Sequence, residues 1–325
     1  MSRSTLTPAA RIALAIGAAG AAAFAWGSLV ERTKWTLRRV EVPVLPAGAT
    51  PIRVLHLSDL HMAPWQHDKQ EWVRSLAGLE PDLVVDTGDN LGHERGLKGI
   101  RRAFEPFRGI PGVFVNGSND YFGPALKNPF TYFGGPSGLI RRSKRLDTHA
   151  LEEYFGELGW KDLDNTAASL DLRGTHFEFF GVDDPHRGYD RLDLIAGAID
   201  ELRADDLLGD EMWPDAASVA RRRPTVTVGV THAPYQRVLN SFVNHGAQLV
   251  LAGHTHGGQV CLPGFGALVT NCDIPRRQVK GLSTWQHGLR SAFLNVSAGL
   301  GTSIFAPVRF ACPPEATLLT LVPAE

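Results

Sequence analysis

Four short segments of the chain carry side chains suited to holding divalent cations. Asp59 and His61 stand two residues apart in DLH, Asp89 sits in GDN, His232 in THAP, and His254 and His256 in GHTH. A carboxylate and an imidazole at this spacing converge where a strand gives way to a turn, and Asp89 has two oxygens with which to bridge a pair of ions. Each fragment alone has a plain structural reading: Asp59 could cap a helix, His61 could be a polar loop residue, and either GHTH histidine could satisfy a buried hydrogen bond. Six oxygen and nitrogen donors, each after an apolar run, point to a metal site more specifically than any one of them. Asp89 follows LVVDT, where a buried charge without a counterion is costly.

The elements that must position these residues are short apolar strands. RVLHLS at 53–58 and LVVD at 83–86 end close to the first two segments, with helices expected at 69–79 and 95–107, which gives a β-α-β-α start and an α/β class. A strand around 112–116 precedes Gly117-Ser118-Asn119-Asp120. Further strands are expected at 168–172, 177–181, 225–229, 248–252, 293–296 and 316–321, a short helix at 151–158, and outer helices at 192–208 and 241–245. The aromatic-rich stretch 121–133 lacks periodicity and reads as a long loop. No GxxxxGKS or GxxxxGKT sequence is present, and GLGTS at 299–303 does not fit a dinucleotide fingerprint.

In their order, DLH, GDN, GSND, THAP and GHTH resemble the calcineurin-like metallophosphoesterase family over nearly all of residues 52–323. GHTHGGQ, NVSAGLGTS and RFACPPEATLLTL resemble its membrane-associated bacterial branch, which includes UDP-2,3-diacylglucosamine pyrophosphatase-like proteins. The resemblance implies a two-sheet α/β sandwich with flanking helices and a binuclear metal site at the strand ends. One ion would be held by Asp59, His61 and His256, the other by His232 and His254, with Asp89 bridging them. Manganese, iron, zinc and magnesium all suit such a mixed Asp/His set.

The chain departs from the family pattern at GSND. Ser118 stands where an Asn usually completes the second ion's ligands, and Asn119 stands where a phosphate-contacting or acidifying His is common. Three arrangements are open: Ser118 or its water completes the site, a local shift lets Asn119 ligate, or the second site has lost tight binding. A short hydroxyl in place of an amide predicts unequal sites, the second ion being the weaker. Asn119 can donate a hydrogen bond to a phosphoryl oxygen but cannot transfer protons as His does. Asp86 and Asp120 read either as structural hydrogen-bond acceptors or as supports behind a ligand.

The chemistry so implied is hydrolysis of a phosphoester or phosphoanhydride by a hydroxide bridging two cations, positioned by Asp89. In GVDDPHRG, Asp184, His186 and Arg187 are candidates for substrate contact or for tuning the metal surroundings, beside the plain reading of a solvated loop. An amphiphilic phosphate compound, a soluble phosphomonoester or phosphodiester, and noncatalytic binding of metal or phospholipid are the competing functional readings.

The amino-terminal region adds a membrane expectation. Residues 12–30 contain no charge, and at about 1.5 Å per residue such a run nearly spans a hydrocarbon core of roughly 30 Å. It fits a retained single-pass anchor, a cleaved signal with Ala23-Phe24-Ala25 as a processing site, or a peripheral or buried helix. Basic residues flank it on both sides, which leaves orientation open. Residues 1–30 are therefore assigned to an anchor or signal, 31–51 to a basic juxtamembrane linker punctuated by Pro43, Pro46 and Pro51, and 52–325 to the soluble domain; removing residues 1–41 is expected to leave that domain folded. The whole chain of 325 residues has a net charge of -1, which gives no signal for a nucleic-acid partner. Cys261, Cys272 and Cys312 form no CxxC motif and fit either buried thiols or one disulfide with a residue left over.

Overall fold

The computed structural model describes residues 7–124, 143–210 and 224–324. Fourteen strands are described: β1 (Thr36–Leu45), β2 (Ile52–Leu57), β3 (Leu83–Asp86), β4 (Gly112–Phe114), β5 (Trp160–Asp162), β6 (Ala167–Leu172), β7 (Thr175–Val182), β8 (Thr225–Thr231), β9 (Leu249–Ala252), β10 (Cys261–Leu262), β11 (Gly266–Ala267), β12 (Gly281–His287), β13 (Arg290–Val296) and β14 (Glu315–Pro323). Two six-stranded sheets run in the orders β1-β14-β2-β3-β4-β5 and β12-β13-β9-β8-β7-β6, and β10 and β11 form a small hairpin. In the first sheet β2, β3, β4 and β5 are mutually parallel, and in the second β13, β9, β8 and β7 are. Parallel strands deliver their carboxyl ends to one rim, so the loops after β2, β3 and β4 emerge together, as do those after β7, β8 and β9.

The sheets face each other across a core that includes Val54, Val85 and Val113 from one and Phe177, Val228 and Leu251 from the other. Strand composition explains this: Leu83, Val84 and Val85 are all buried, as a strand covered on both faces requires. Helices cover the outer faces. The first sheet packs against α2 (His67–Ser75), α3 (Gly96–Phe104) and, beyond the short α4 (Ser118–Tyr121), α5 (Thr148–Leu158), through Val73, Ile100, Phe104 and Phe155. The second sheet packs against α6 (Ile195–Asp210) and α7 (Gln236–Asn244), through Ile199, Val238 and Phe242.

The expected linker requires correction. Residues 36–45 are not a tether but edge strand β1, paired in parallel with β14 from Thr36↔Glu315 onward. Val40 and Val42 alternate with charged residues, and Val42 and Val44 enter the inter-sheet core. Pro43 is tolerated because β1 is an edge strand, with a register shift between Pro43 and Leu45. Before it, α1 (Pro8–Leu29) is exposed along almost all its length and is long and apolar enough to cross a membrane. Its end is fixed to the body: Gly27 is buried, its carbonyl accepts the Arg309 N–H at 3.1 Å, and a Cβ there would meet the Arg309 carbonyl at 2.6 Å. Glu31 continues the link by accepting from Trp26 Nε1 and from the Cys312 N–H. Much of the aromatic stretch 121–133, and the basic residues 141–142 and 221–223, lie outside the described residues.

Candidate metal centre

All six donors singled out in the sequence meet where the two rims face each other. Asp59 and His61 come from the loop after β2, Asp89 from that after β3, His232 from that after β8, and His254 and His256 from that after β9. Ligand atoms of Asp59, His61 and His256 lie within 4.8 Å of one another, as do those of Asp59, Asp89 and His232. Asp89 is central: His61 Nε2 is 3.5 Å from its Oδ2, and His232 Nε2 is 3.5 Å from its Oδ1. His256 Nε2 stands 3.5 Å from Asp59 Oδ1 and 3.2 Å from His61 Nε2, and His254 Nδ1 lies 3.3 Å from His232 Nε2.

The backbone carries strain at these positions. Asp59, His61, Asp89, His254 and His256 all have positive φ, between 42° and 68°, a region that costs a non-glycine residue roughly 1–2 kcal/mol. Such outliers persist where surrounding structure over-determines them. Here Asp120 supplies much of that determination, because its buried carboxylate accepts the backbone N–H groups of Asp89, Asn90, Leu91 and Gly117. Asp86 accepts from Gly88 N and Asn90 Nδ2, closing the same turn. Gly117 must lack a side chain, since a Cβ would sit 2.5 Å from Asp89 Oδ1 and 2.8 Å from His232 Cε1.

Hydrogen bonds also select the free ring nitrogens. His232 Nδ1 donates to the Thr87 carbonyl at 2.7 Å, which leaves Nε2 as the lone-pair donor when that ring is neutral, while His254 Nε2 faces both the carbonyl and the side-chain amide of Asn271, at 3.1 and 3.2 Å. Burial pushes the Asp59 carboxyl up to about 6. At Asp89 burial acts in the same sense but is outweighed by His232, His61 and the bonds from Asn119, so this carboxylate is held well below its usual range. Burial depresses His61 to about 4 and also lowers His254 and His256, whereas His232 is raised to about 9 because Asp89, Asp59 and Asp184 outweigh its desolvation.

These features fit a pair of divalent cations. Asp59 Oδ1 is buried and makes no hydrogen bond, and two imidazole nitrogens face each other across 3.2 Å with carboxylate oxygens beside them. A cation would satisfy all of them at once.

The GSND residues lie at the edge of this cluster. Asn119 donates twice to Asp89, from its backbone to Oδ1 at 2.7 Å and from its amide to Oδ2 at 2.6 Å. Ser118 Oγ donates to Asp184 Oδ2, and Asp184 Oδ1 accepts the His186 N–H at 2.9 Å. The His186 ring is 4.7 Å from that of His254, and its Nδ1 meets the Tyr235 hydroxyl at 2.9 Å. Arg187 lies outside the polar cluster, with its guanidinium 3.8 Å from the Phe122 ring centre. Sequence reasoning did not find Arg309, a fully buried guanidinium that donates to the carbonyls of Ala298, Gly299 and Gly301 and contacts His256 Nδ1 at 3.2 Å. Nothing in RFACPPE distinguishes it from a surface arginine.

The family model described as calcineurin-like phosphoesterase matches residues 52–258. The chain belongs to the calcineurin-like phosphoesterase family. Membership carries metal-dependent phosphoester hydrolysis and divalent-cation binding as the family's chemistry. An uncharacterized metallophosphoesterase of Bacillus subtilis, YkuE, is 24% identical over 94% of this chain and 90% of its own length. A bovine transmembrane protein with a metallophosphoesterase domain is 24% identical over 68% of this chain and 44% of its own length. Among solved structures, a purple acid phosphatase from yellow lupin has a TM-score of 0.41 at 13% identity, over 82% of this chain and 46% of that one.

Proposed function

We propose that the chain is a membrane-attached phosphohydrolase that uses two divalent cations to cleave the phosphoester or phosphoanhydride bond of an amphiphilic compound. The observation that carries the hydrolytic reading is Asp89, whose two oxygens are each 3.5 Å from a histidine nitrogen on opposite sides of the cluster. When bound, the cations supply Lewis acidity toward water and phosphoryl oxygens. The chain's own residues would hold them: Asp89 stands between the two histidine groups, Asn119 fixes the Asp89 carboxylate, and the Thr87 carbonyl orients the His232 ring.

An amphiphilic substrate is supported by the apolar α1 and by a cavity of about 300 Å³ where that helix meets the domain. Arg32, Trp35, Trp65, Lys69, Gly301 and Thr302 contribute to its lining. Lys69 Nζ donates to the carbonyls of Leu60 and His61, so the cavity adjoins the first ligand loop. Basic and aromatic side chains at the end of an apolar helix suit the headgroup level of a bilayer. The resemblance to the diacylglucosamine pyrophosphatase-like branch agrees with this substrate class.

The test is turnover by metal-loaded full-length protein in detergent, comparing an aryl phosphate, a soluble phosphodiester and a lipid-linked phosphodiester, each with and without chelator. Chelator-sensitive turnover favouring the lipid-linked compound is expected. Equal rates on both diesters would select the soluble-substrate reading, and metal binding without any turnover would leave a binding protein.

A further inference from the structure

We infer that Asp184 is a direct ligand of the second cation, so that this ion is held by Asp89, His232, His254 and Asp184. The inference rests on the binuclear reading above and assigns a ligand that the sequence motifs leave open. Topology supplies the first observation. Strands β7, β8 and β9 are adjacent and parallel, with Val182 paired to Thr231 and Thr231 to Ala252. Each runs within two residues into one of the polar side chains, Asp184, His232 and His254, so three neighbouring strand ends carry three donors on one rim.

The second observation is burial. Asp184 has no accessible surface, like Asp59 and His232 of the cluster. A carboxylate in that position faces a desolvation cost that its two hydrogen bonds, from Ser118 Oγ and the His186 N–H, only partly offset.

Hydrogen bonding then separates Asp184 from Ser118. Ser118 directs its hydroxyl proton to Asp184 Oδ2, and the His186 N–H occupies Asp184 Oδ1. Each carboxylate oxygen keeps a further lone pair. Ser118 is thereby a neutral donor that orients a charged acceptor, and the charged group is the stronger ligand for a hard cation. Asn119 is committed to Asp89 through both its backbone and its side chain, which disfavours the shifted arrangement in which it would ligate. With Asp184 included, each ion has two carboxylates and two imidazoles, Asp89 being shared. The inequality expected from Ser118 alone is replaced by two sites of comparable affinity, and the added carboxylate oxygen suits manganese.

Metal-free full-length protein in detergent is titrated with Mn²⁺ by calorimetry, and electron paramagnetic resonance reads whether the bound ions are coupled as a pair. Wild type is expected to take up two ions of similar affinity with a coupled signal. Asp184→Ala should retain the first ion, which reports that the fold survives, and should weaken the second by more than about 100-fold, beyond the 10–100-fold typical of losing a ligand's hydrogen-bond partner. Its spectrum should be that of isolated Mn²⁺. Ser118→Ala should keep both ions with a smaller loss, and adding Ser118→Asn to Asp184→Ala should recover part of the second site. If Asp184→Ala loses both ions, Asp184→Asn preserves the shape and is read instead, with a weaker second ion expected. Unchanged second-ion affinity in the Asp184 variants, or its loss in Ser118→Ala but not in Asp184→Ala, overturns the assignment alone. Uptake of a single ion by wild type overturns the binuclear reading together with it.

Discussion

Asp89 and Asp120 are both buried carboxylates near one metal cluster, yet their side chains face different partners and their substitutions should fail differently. Asp89→Asn keeps the shape but removes the charge between His61 and His232, so metal affinity is expected to fall by more than about 100-fold, judged against the 10–100-fold effect of weaker perturbations around a site. Metal titration at matched protein stability checks this, and Arg187→Ala, whose guanidinium rests on Phe122, should leave metal binding unchanged. Asp120→Ala orphans four backbone N–H groups at about 1–3 kcal/mol each, so it should lower stability by at least about 4 kcal/mol in thermal unfolding of the metal-free protein. His56 gives a pH dependence away from the ligands. Its Nδ1 accepts from Asn295 Nδ2 at 2.9 Å and its Nε2 faces Thr87 Oγ1 at 3.0 Å, a bridge between the two sheets that requires the neutral ring. Burial depresses it from 6.5 to about 3, so its contribution to stability is complete above pH 6.5 and is lost as pH falls from there toward 3, at about 1.4 kcal/mol per pH unit. His56→Gln should flatten that part of the stability curve; an unchanged acid limb would remove His56 as its cause.

Strand ends make the site legible in the sequence: the apolar runs at 53–58, 83–86, 225–229 and 248–252 overlap β2, β3, β8 and β9, and the donors after them converge. β3 and β9 are buried along their whole length and are rich in Val and Leu, because neither face meets water. Elements with one exposed face were harder to read. β1 reads as a linker because its charged residues and Pro43 obscure the alternating valines, and three-residue β5 is too short for any period to show. The role of Asp184 was obscured for a different reason, since its meaning comes from a neighbour 66 residues away in sequence. The corrected boundary changes the expected behaviour of truncations. Removing residues 1–34 leaves β1 intact, whereas removing residues 1–41 takes away more than half of it and bares the edge of β14. The longer deletion should therefore unfold at lower temperature and aggregate more readily, measured side by side in calorimetry and light scattering.

At the scale of the whole chain, a helix suited to a membrane is joined without a flexible break to the loops that carry the ligands. Gly27 seats α1 on Arg309, and the Arg309 guanidinium holds the backbone around Gly299 and touches His256. Full-length protein should fractionate with membranes and the 1–34 deletion should not; an unprocessed full-length chain found wholly in the soluble fraction would end the anchor assignment. Gly27→Val is expected to disturb more than membrane attachment, since the added side chain collides with the Arg309 backbone, and its effect should appear as weakened binding of the ion nearest His256. The left-handed backbone at five of the six cluster residues has a consequence for anyone improving this protein by selection. Glycine at residues 59, 61, 89, 254 or 256 would relieve conformational strain and, at the aspartates, remove a buried charge. A library screened in chelator for heat tolerance alone should therefore drift toward sequences that survive longer and bind nothing, whereas the same library screened with manganese present should retain the aspartates and histidines.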